Sequence, residues 1–207
     1  MSAFLGYIHY WLYNKVELHE NLINEILNLA EKNNYSTDTL RNESYEKYGK
    51  PTKGKLEDII NHSNIHGWLQ ERIINVEYRL AFIITRLLKE NIITLDSIKE
   101  IFRQSGIQSM KIIEKAEFSP EDYYKMIYDH LLDGMPCDRI NNVIKSDKNE
   151  IMWERTQCIH ESYWNQVHGD ISIFYELRDS WIEGFLSNSE NIKYERNNEG
   201  INIIKVV

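Results

Sequence analysis

Ile8-His9-Tyr10-Trp11-Leu12 and Ile65-His66-Gly67-Trp68-Leu69 are two copies of one motif, Ile-His-x-Trp-Leu. Downstream of the motif the two segments still align, and the aligned pairs include Lys15 with Arg72, Val16 with Ile73 and Glu20 with Glu77. Apolar residues follow each copy at three- and four-residue spacing, which predicts long helices over about 5–32 and 65–88. We expect these duplicated helices to pack against each other as an antiparallel or crossed pair.

Around the two helices, composition and periodicity predict the remaining elements. Residues 34–54 are polar and rich in turn formers, so they are expected to form a loop with at most a short helix. Two further helices are predicted at about 94–116 and 119–132. The second of them begins with Ser119-Pro120-Glu121-Asp122, which combines a cap, a proline in the first turn and two acidic residues.

The C-terminal third has a different pattern. Partial alternation predicts a strand over 151–158, helical spacing returns over 171–186, and a hairpin is predicted from strands 191–196 and 200–204. The fold class that follows is α+β and predominantly helical, with the long N-terminal helices packed on a small C-terminal antiparallel sheet and one helix. The helical part covers about 1–133 and the α/β part about 134–207, most simply as one continuous domain.

Composition excludes several classes of function. The 207-residue chain carries a formal charge of −8 and no basic run, so nucleic acid is not an expected partner. No apolar stretch is long enough to span a membrane, and the N-terminus lacks a basic region before an apolar one. The two cysteines form no Cys-x-x-Cys pair and are expected to be reduced thiols, which indicates a cytoplasmic protein.

The duplicated motif supplies the first candidate site. In a helix, His9 lies beside Leu12 and His66 beside Leu69, so each imidazole is at the edge of an apolar stripe. Equivalent positions on paired helices favour one shared pocket, in which His9 and His66 are candidate ligands of a transition metal or haem. Trp11 and Trp68, from the same motif, are candidate substrate-binding residues. The alternative is that both histidines are hydrogen-bonded residues that only stabilise the helix starts.

The second candidate site lies near the end of the predicted 151–158 strand. Cys158 and His160 are separated by one residue, which on a strand directs both side chains to one face, and a thiol near an imidazole can act as a nucleophile. The following helix carries four further candidates. We assign Asp179 to the catalytic set with Cys158 and His160, and predict that the substrate is also bound by Tyr175, Arg178 and Trp181. The alternative for Cys158 is a small buried hydrophobic residue.

The C-terminal pattern resembles the L-2-amino-thiazoline-4-carboxylic acid hydrolase family over roughly residues 100–196. The resemblance runs from Asp133-Gly134-Met135-Pro136-Cys137 through a strand that ends in Thr156-Gln157-Cys158, then a helix with Asp179 ahead of Gly184-Phe185, then the strand Ile192–Arg196. It implies a hydrolase of small non-peptide C–N or C–S substrates. The N-terminal helices are similar to those of clostridial hypothetical proteins.

Three functions remain open from the sequence. The first is a small-molecule-binding, hydrolase-like enzyme in which Cys158 contacts or attacks the substrate, His160 shuttles protons, and Asp179 with Arg178 orients a carboxylate. The second is a metal- or haem-binding sensor or carrier that uses His9 and His66. The third is a non-catalytic homodimeric interaction protein whose aromatic residues form the dimer surface.

Overall fold

The computed structural model describes residues 5–111 and 118–207, and it divides into two compact units. The first unit comprises Met1–Thr94 and His160–Ile171, and the second comprises Leu95–Ile159 and Ser172–Val207. This division does not coincide with a boundary near residue 133. The difference arises because the helices just before that residue pack on elements of the C-terminal half.

The regular elements described in the first unit are all helices. Its helices are α1 (Tyr7–Lys32), α2 (Asp38–Tyr48), α3 (Leu56–Ile59), α4 (Ile65–Lys89) and α7 (Glu161–Gln166). The 34–54 segment, predicted as a loop with at most a short helix, contains the 11-residue α2. Helix α7 was not predicted, because its six residues are too few to show a periodicity.

The duplicated helices α1 and α4 pack side by side and run parallel, so the antiparallel expectation is wrong. His9 contacts His66 near their starts, Glu20 contacts Arg79 midway, and Asn33 donates to the carbonyl of Ile92 at the far end. These partners are all 57–59 positions apart in the sequence. A constant positive offset requires the same direction, and the 33–64 segment returns the chain to the starting end.

The core of the first unit is the seam between α1 and α4. The side chains that face it are almost completely buried: Leu12, Val16, Ile23, Ile26, Leu27, Leu69, Ile73, Val76, Leu80, Ile83, Ile84 and Leu87. Burying an aliphatic side chain of this size contributes roughly 1.5–3 kcal/mol. Packing of the two apolar stripes, more than helix propensity, therefore stabilises this unit.

The second unit combines three longer helices with a four-stranded sheet. Its elements are α5 (Leu95–Lys111), α6 (Pro120–His130), a 3-10 turn (Pro136–Asp138), β1 (Asn141–Ser146), β2 (Glu150–Arg155), α8 (Ile171–Leu186), β3 (Ile192–Arg196) and β4 (Asn202–Val206). The strands are ordered β1-β2-β4-β3 and every neighbouring pair is antiparallel. A predominantly helical α+β fold with a small antiparallel sheet is thus confirmed. The residues predicted to end α5, 112–116, lie outside the described residues.

Two glycines let α5 and α8 approach until their backbones touch. A Cβ atom on Gly106 would collide with the carbonyl of Trp181, and one on Gly184 would collide with the carbonyl of Arg103. Helix α6 packs on β2 and β4, where Tyr124 contacts Trp153 with ring centroids 5.0 Å apart. The end of β2 and the first turns of α8 both belong to this second unit. Among the described helices, none has the length and apolarity that crossing a membrane requires.

Candidate functional site

An open cleft in the second unit is the site with the most reactive side chains. It lies where β2 ends, beside the first turns of α8 and the β3–β4 turn, and its volume is about 250 Å³. The residues that line it are Glu154, Arg155, Gln157, Cys158, Tyr175, Arg196, Glu199 and Gly200. Cys158 and Tyr175, which the sequence singled out separately, are therefore neighbours here.

The thiol of Cys158 is exposed and accepts a hydrogen bond from a phenol. The Tyr175 hydroxyl donates to Cys158 Sγ over 2.9 Å. Burial and the contact with Cys158 raise the pKa of Tyr175, while the neighbouring Arg155 opposes that rise. Tyr175 therefore stays protonated at neutral pH and acts as a donor to the sulfur.

Two guanidinium groups flank the Tyr175 ring. The centre of the Arg155 guanidinium is 4.9 Å from the ring centroid and that of Arg196 is 5.4 Å away. Arg196 is paired with Asp179, because its Nε and Nη2 donate to Oδ2 over 2.8 and 2.6 Å. The Tyr194 hydroxyl also donates to Asp179, over 2.7 Å. Asp179 thus holds Arg196 against the cleft.

Among the described residues, Arg155 belongs to a buried cluster of two guanidiniums and one carboxylate. Asp133 Oδ2 accepts from Arg178 Nη2 over 2.7 Å, while Arg155 Nη2 is 4.0 Å from Asp133 Oδ1. Burial, and then the nearby Arg155, lower the pKa of Arg178. One carboxylate thus serves two guanidiniums. Arg155 also has a side chain only 10% exposed and an Nε that meets no acceptor among the described residues.

The structure separates His160 from the Cys158 arrangement that we predicted. Strand β2 ends at Arg155, so the predicted strand to residue 158 is too long and does not direct the two side chains to one face. His160 belongs to the first unit, is fully buried, and has its Nδ1 3.0 Å from Glu77 Oε1. This contact with Glu77 anchors the start of α7 on α4.

The remaining α8 candidates have different positions. Trp181 is fully buried, stacks on Phe185 with ring centroids 5.1 Å apart, and donates from its indole to Ser105 over 3.3 Å. It is therefore a core residue and not a surface for a ligand. Arg178 is buried against Asp133, whereas Asp179 pairs with Arg196, so each of the two residues predicted to orient a substrate carboxylate has another charged partner.

The motif tryptophans are packing residues of the first unit. Each is covered by the cation four positions later, since Lys15 Nζ is 3.6 Å from the Trp11 ring centroid and Arg72 Cζ is 5.3 Å from that of Trp68. Tyr13 adds a ring contact to Trp68 at 5.8 Å. The aligned positions of the repeat therefore make equivalent cation–π contacts.

The motif histidines do come together. The ring centroids of His9 and His66 are 5.6 Å apart. His9 Nδ1 accepts from the backbone N–H of Gly6 over 2.9 Å, which caps α1, and His66 is exposed at the start of α4. In the described parts of the chain, no group of three or more His, Cys, Asp or Glu side chains is arranged to hold a metal.

Sequence reasoning missed Arg155 and Arg196 as site residues. Each is the last residue of its strand, β2 or β3, which is a common location for functional side chains and was the available signal. Comparisons with protein-family models, with curated protein sequences and with solved structures found no match for this chain. The resemblance to the L-2-amino-thiazoline-4-carboxylic acid hydrolase family therefore stays a prediction.

Proposed function

We propose that the second unit binds a small anionic molecule, most simply a carboxylate, in the Cys158 cleft. The observation that carries this proposal is the position of Arg155, which lines the cleft and shares its carboxylate partner, Asp133, with Arg178. A buried charge is costly unless it is compensated. An anion in the cleft would supply the missing charge, and a guanidinium can bind a carboxylate through two hydrogen bonds.

The other cleft residues would orient the ligand. Arg196 is fixed by Asp179 and lies 5.4 Å from the centroid of the Tyr175 ring, so it would limit the position of the ligand in the cleft. Glu154 and Glu199 also line the cleft, so one carboxylate of a ligand would bind at Arg155 and a second one would remain in the solvent at the open side of the cleft. With both described cysteines free, a reducing cytoplasmic compartment is part of this proposal.

A hydrolase-like reaction is the enzymatic form of the same proposal. Cys158 would then be the nucleophile or substrate contact, and the Tyr175 O–H···Sγ bond favours it because a donor to sulfur stabilises the thiolate. His160 does not support the proton-shuttle role, since its imidazole is enclosed beside Glu77. Screening C–N and C–S amino-acid derivatives with the wild type and Cys158→Ser tests this form, which requires turnover that depends on the thiol.

The binding proposal is tested with succinate and its uncharged analogue succinamide in an NMR titration of the reduced protein. Succinate is expected to shift resonances of cleft residues until the site is saturated. The expected dissociation constant is in the millimolar range, which corresponds to a binding free energy of about −4 kcal/mol. Succinamide is expected to have no effect. Arg155→Met should weaken succinate binding at least tenfold, about 1.4 kcal/mol. Arg103→Met, an exposed arginine on α5 of the same unit, is the matched control. Equal chemical-shift changes with succinate and with succinamide would contradict the proposal. Equal succinate affinities of Arg155→Met and Arg103→Met would contradict it as well.

A transition-metal site at His9 and His66 is a second candidate, favoured by the 5.6 Å separation of their rings. Two imidazoles at this distance would hold one ion, with water in the other positions. Titration with Ni²⁺ or Zn²⁺ should give one site per chain that is lost in His9→Ala and in His66→Ala. His62→Ala, in an exposed histidine of the same unit, is the control. Unchanged uptake in the first two variants would exclude this site.

A further inference from the structure

The two free cysteines of the second unit have contrasting surroundings. Both thiols are exposed. Cys158 lies in a cleft with both arginines and carboxylates, and it accepts a hydrogen bond from the Tyr175 hydroxyl, whereas Cys137 lies in the Pro136–Asp138 turn beside Asp138. A thiol next to cations and a donor reacts with anionic partners faster than a thiol next to a carboxylate. The chain thus contains a reactive position and its own internal reference.

We infer that Cys158 is a site of reversible mixed-disulfide formation with carboxylate-bearing low-molecular-weight thiols. This inference rests on the proposed anion cleft and adds a covalent partner to it. The carboxylate would be held by Arg155, whose side chain is 10% exposed and whose carboxylate partner, Asp133, is shared with Arg178. The sulfur of the partner would then be presented to Cys158 Sγ, which Tyr175 already positions at 2.9 Å.

The chemistry is a thiol–disulfide exchange with an oxidised low-molecular-weight disulfide as co-reactant. The Cys158 thiolate attacks one sulfur of the RS–SR molecule, a Cys158–SR bond forms, and the RS–SR bond breaks. The second half leaves as RS⁻ with the bonding electron pair and takes up a proton from water. Attack by another thiol on Cys158–SR reverses the step, so no net oxidant is consumed.

The size of the cleft agrees with such a partner. Its volume of about 250 Å³ corresponds to roughly eight water molecules at about 30 Å³ each, which is enough for the carboxylate-bearing end of one half of a disulfide. The bound half would lie near Arg155 and the Tyr175 ring, which are 4.9 Å apart. Thiolation would therefore occupy the space that a free carboxylate needs and would block its binding.

The test compares three disulfides of different charge on the wild-type protein. Oxidised glutathione is anionic, bis(2-hydroxyethyl) disulfide is neutral and cystamine is cationic. Peptide mass spectrometry measures the rate of modification at Cys158 and at Cys137 in the same sample. We expect oxidised glutathione to modify Cys158 about tenfold faster than Cys137. The neutral reagent should modify both at similar rates, cystamine should prefer Cys137, and a reducing agent should restore the unmodified mass.

Arg155→Met should remove the preference for oxidised glutathione. If that variant does not fold, competition by succinate and screening by salt in the wild type measure the same charge dependence. A Cys158 to Cys137 rate ratio that is independent of reagent charge would overturn the inference. Such a result together with normal succinate binding would overturn the thiolation alone. The same result without succinate binding would overturn the anion cleft as well.

Discussion

The two units each bury an arginine–carboxylate cluster, and the clusters differ in their balance of charge. In the first unit Arg79 contacts Glu20 and also donates to the carbonyl of Gly49. In the second unit Asp133 is shared by Arg178 and Arg155. Arg79 and Arg155 both have a buried Nε without an acceptor among the described residues, so that atom does not distinguish them. The two arginines differ in that Arg155 shares its carboxylate with another arginine and lines an open cleft.

This comparison separates structural pairs from binding sites. A guanidinium with its own carboxylate is neutralised inside the protein, and removing one partner leaves an uncompensated charge. A guanidinium that shares a carboxylate beside an open cleft is available to an external anion.

The largest expected effect is on stability when the cation of the first cluster is removed. Arg79→Met leaves Glu20 buried without its partner and should destabilise the protein by about 3–5 kcal/mol at pH 8. Arg155→Met should cost about 1 kcal/mol or less, because Asp133 keeps Arg178. Urea unfolding followed by circular dichroism measures both variants. Equal losses of unfolding free energy in the two variants would show that both arginines are equally important for stability.

The second prediction concerns the pH dependence of the first cluster. Burial raises the pKa of Glu20 to about 7, although Arg79 opposes that rise. The folded protein therefore binds more protons than the unfolded chain between about pH 4.5 and 7, so its stability falls as pH increases through this window. The loss can reach about 3 kcal/mol at 1.36 kcal/mol per pKa unit.

Glu20→Gln should remove the fall in stability with rising pH that Glu20 causes, because an amide does not titrate. Unfolding free energies at pH 5 and pH 8 measure it for the wild type and the variant. Glu25→Gln, in an exposed residue of the same helix, is the control and should follow the wild type. A pH profile of Glu20→Gln that parallels the wild type would show that Glu20 is not the titrating group.

The third prediction tests the hydrogen bond to the cleft thiol. Tyr175→Phe removes the hydroxyl that donates to Cys158 Sγ but keeps the ring between the guanidiniums. A hydrogen bond to the thiolate is worth about 1 kcal/mol, so alkylation of Cys158 by iodoacetamide should slow about fivefold. Cys137 in the same sample is the reference. A proportional change at both cysteines would indicate a general structural effect instead.

The smallest expected effect is that of salt on the second cluster. Raising sodium chloride from 0.05 to 0.5 M should weaken succinate binding about threefold, because the screening length falls below the dimensions of an open cleft. The enclosed Glu20–Arg79 pair should respond much less, which unfolding at both salt concentrations measures. Succinate binding that does not change with salt would argue against an electrostatic site.

Much of the fold was predictable from local sequence. The α8 bounds, 171–186, follow from helical spacing, and the duplicated motif predicted that His9 and His66 would meet. Strand β1 was missed because residues 141–146 form a largely exposed edge strand without alternation. Apolar periodicity detects buried faces, and this strand has almost none.

The cleft was predictable only in part. Cys158 and Tyr175 were identified from residue type and position, since thiols and phenols are chemically distinctive. Arg155 was missed because its importance depends on Asp133 and Arg178, which are 22 and 23 positions away. Charge balance is a property of tertiary structure, and no local pattern reveals it. His160 was misassigned for the related reason that its partner, Glu77, is 83 positions distant.

That partnership has a consequence for the order of folding. The first unit includes residues 160–171, so it lacks α7 until that part of the chain has been synthesised. Glu77 on α4 contacts His160, and Tyr78 contacts Tyr163 and Gln166. Contacts across 80 or more residues slow folding, since loop closure precedes any gain from the contact. During translation α1 and α4 can pair early, whereas the completed first unit has to wait for most of the chain.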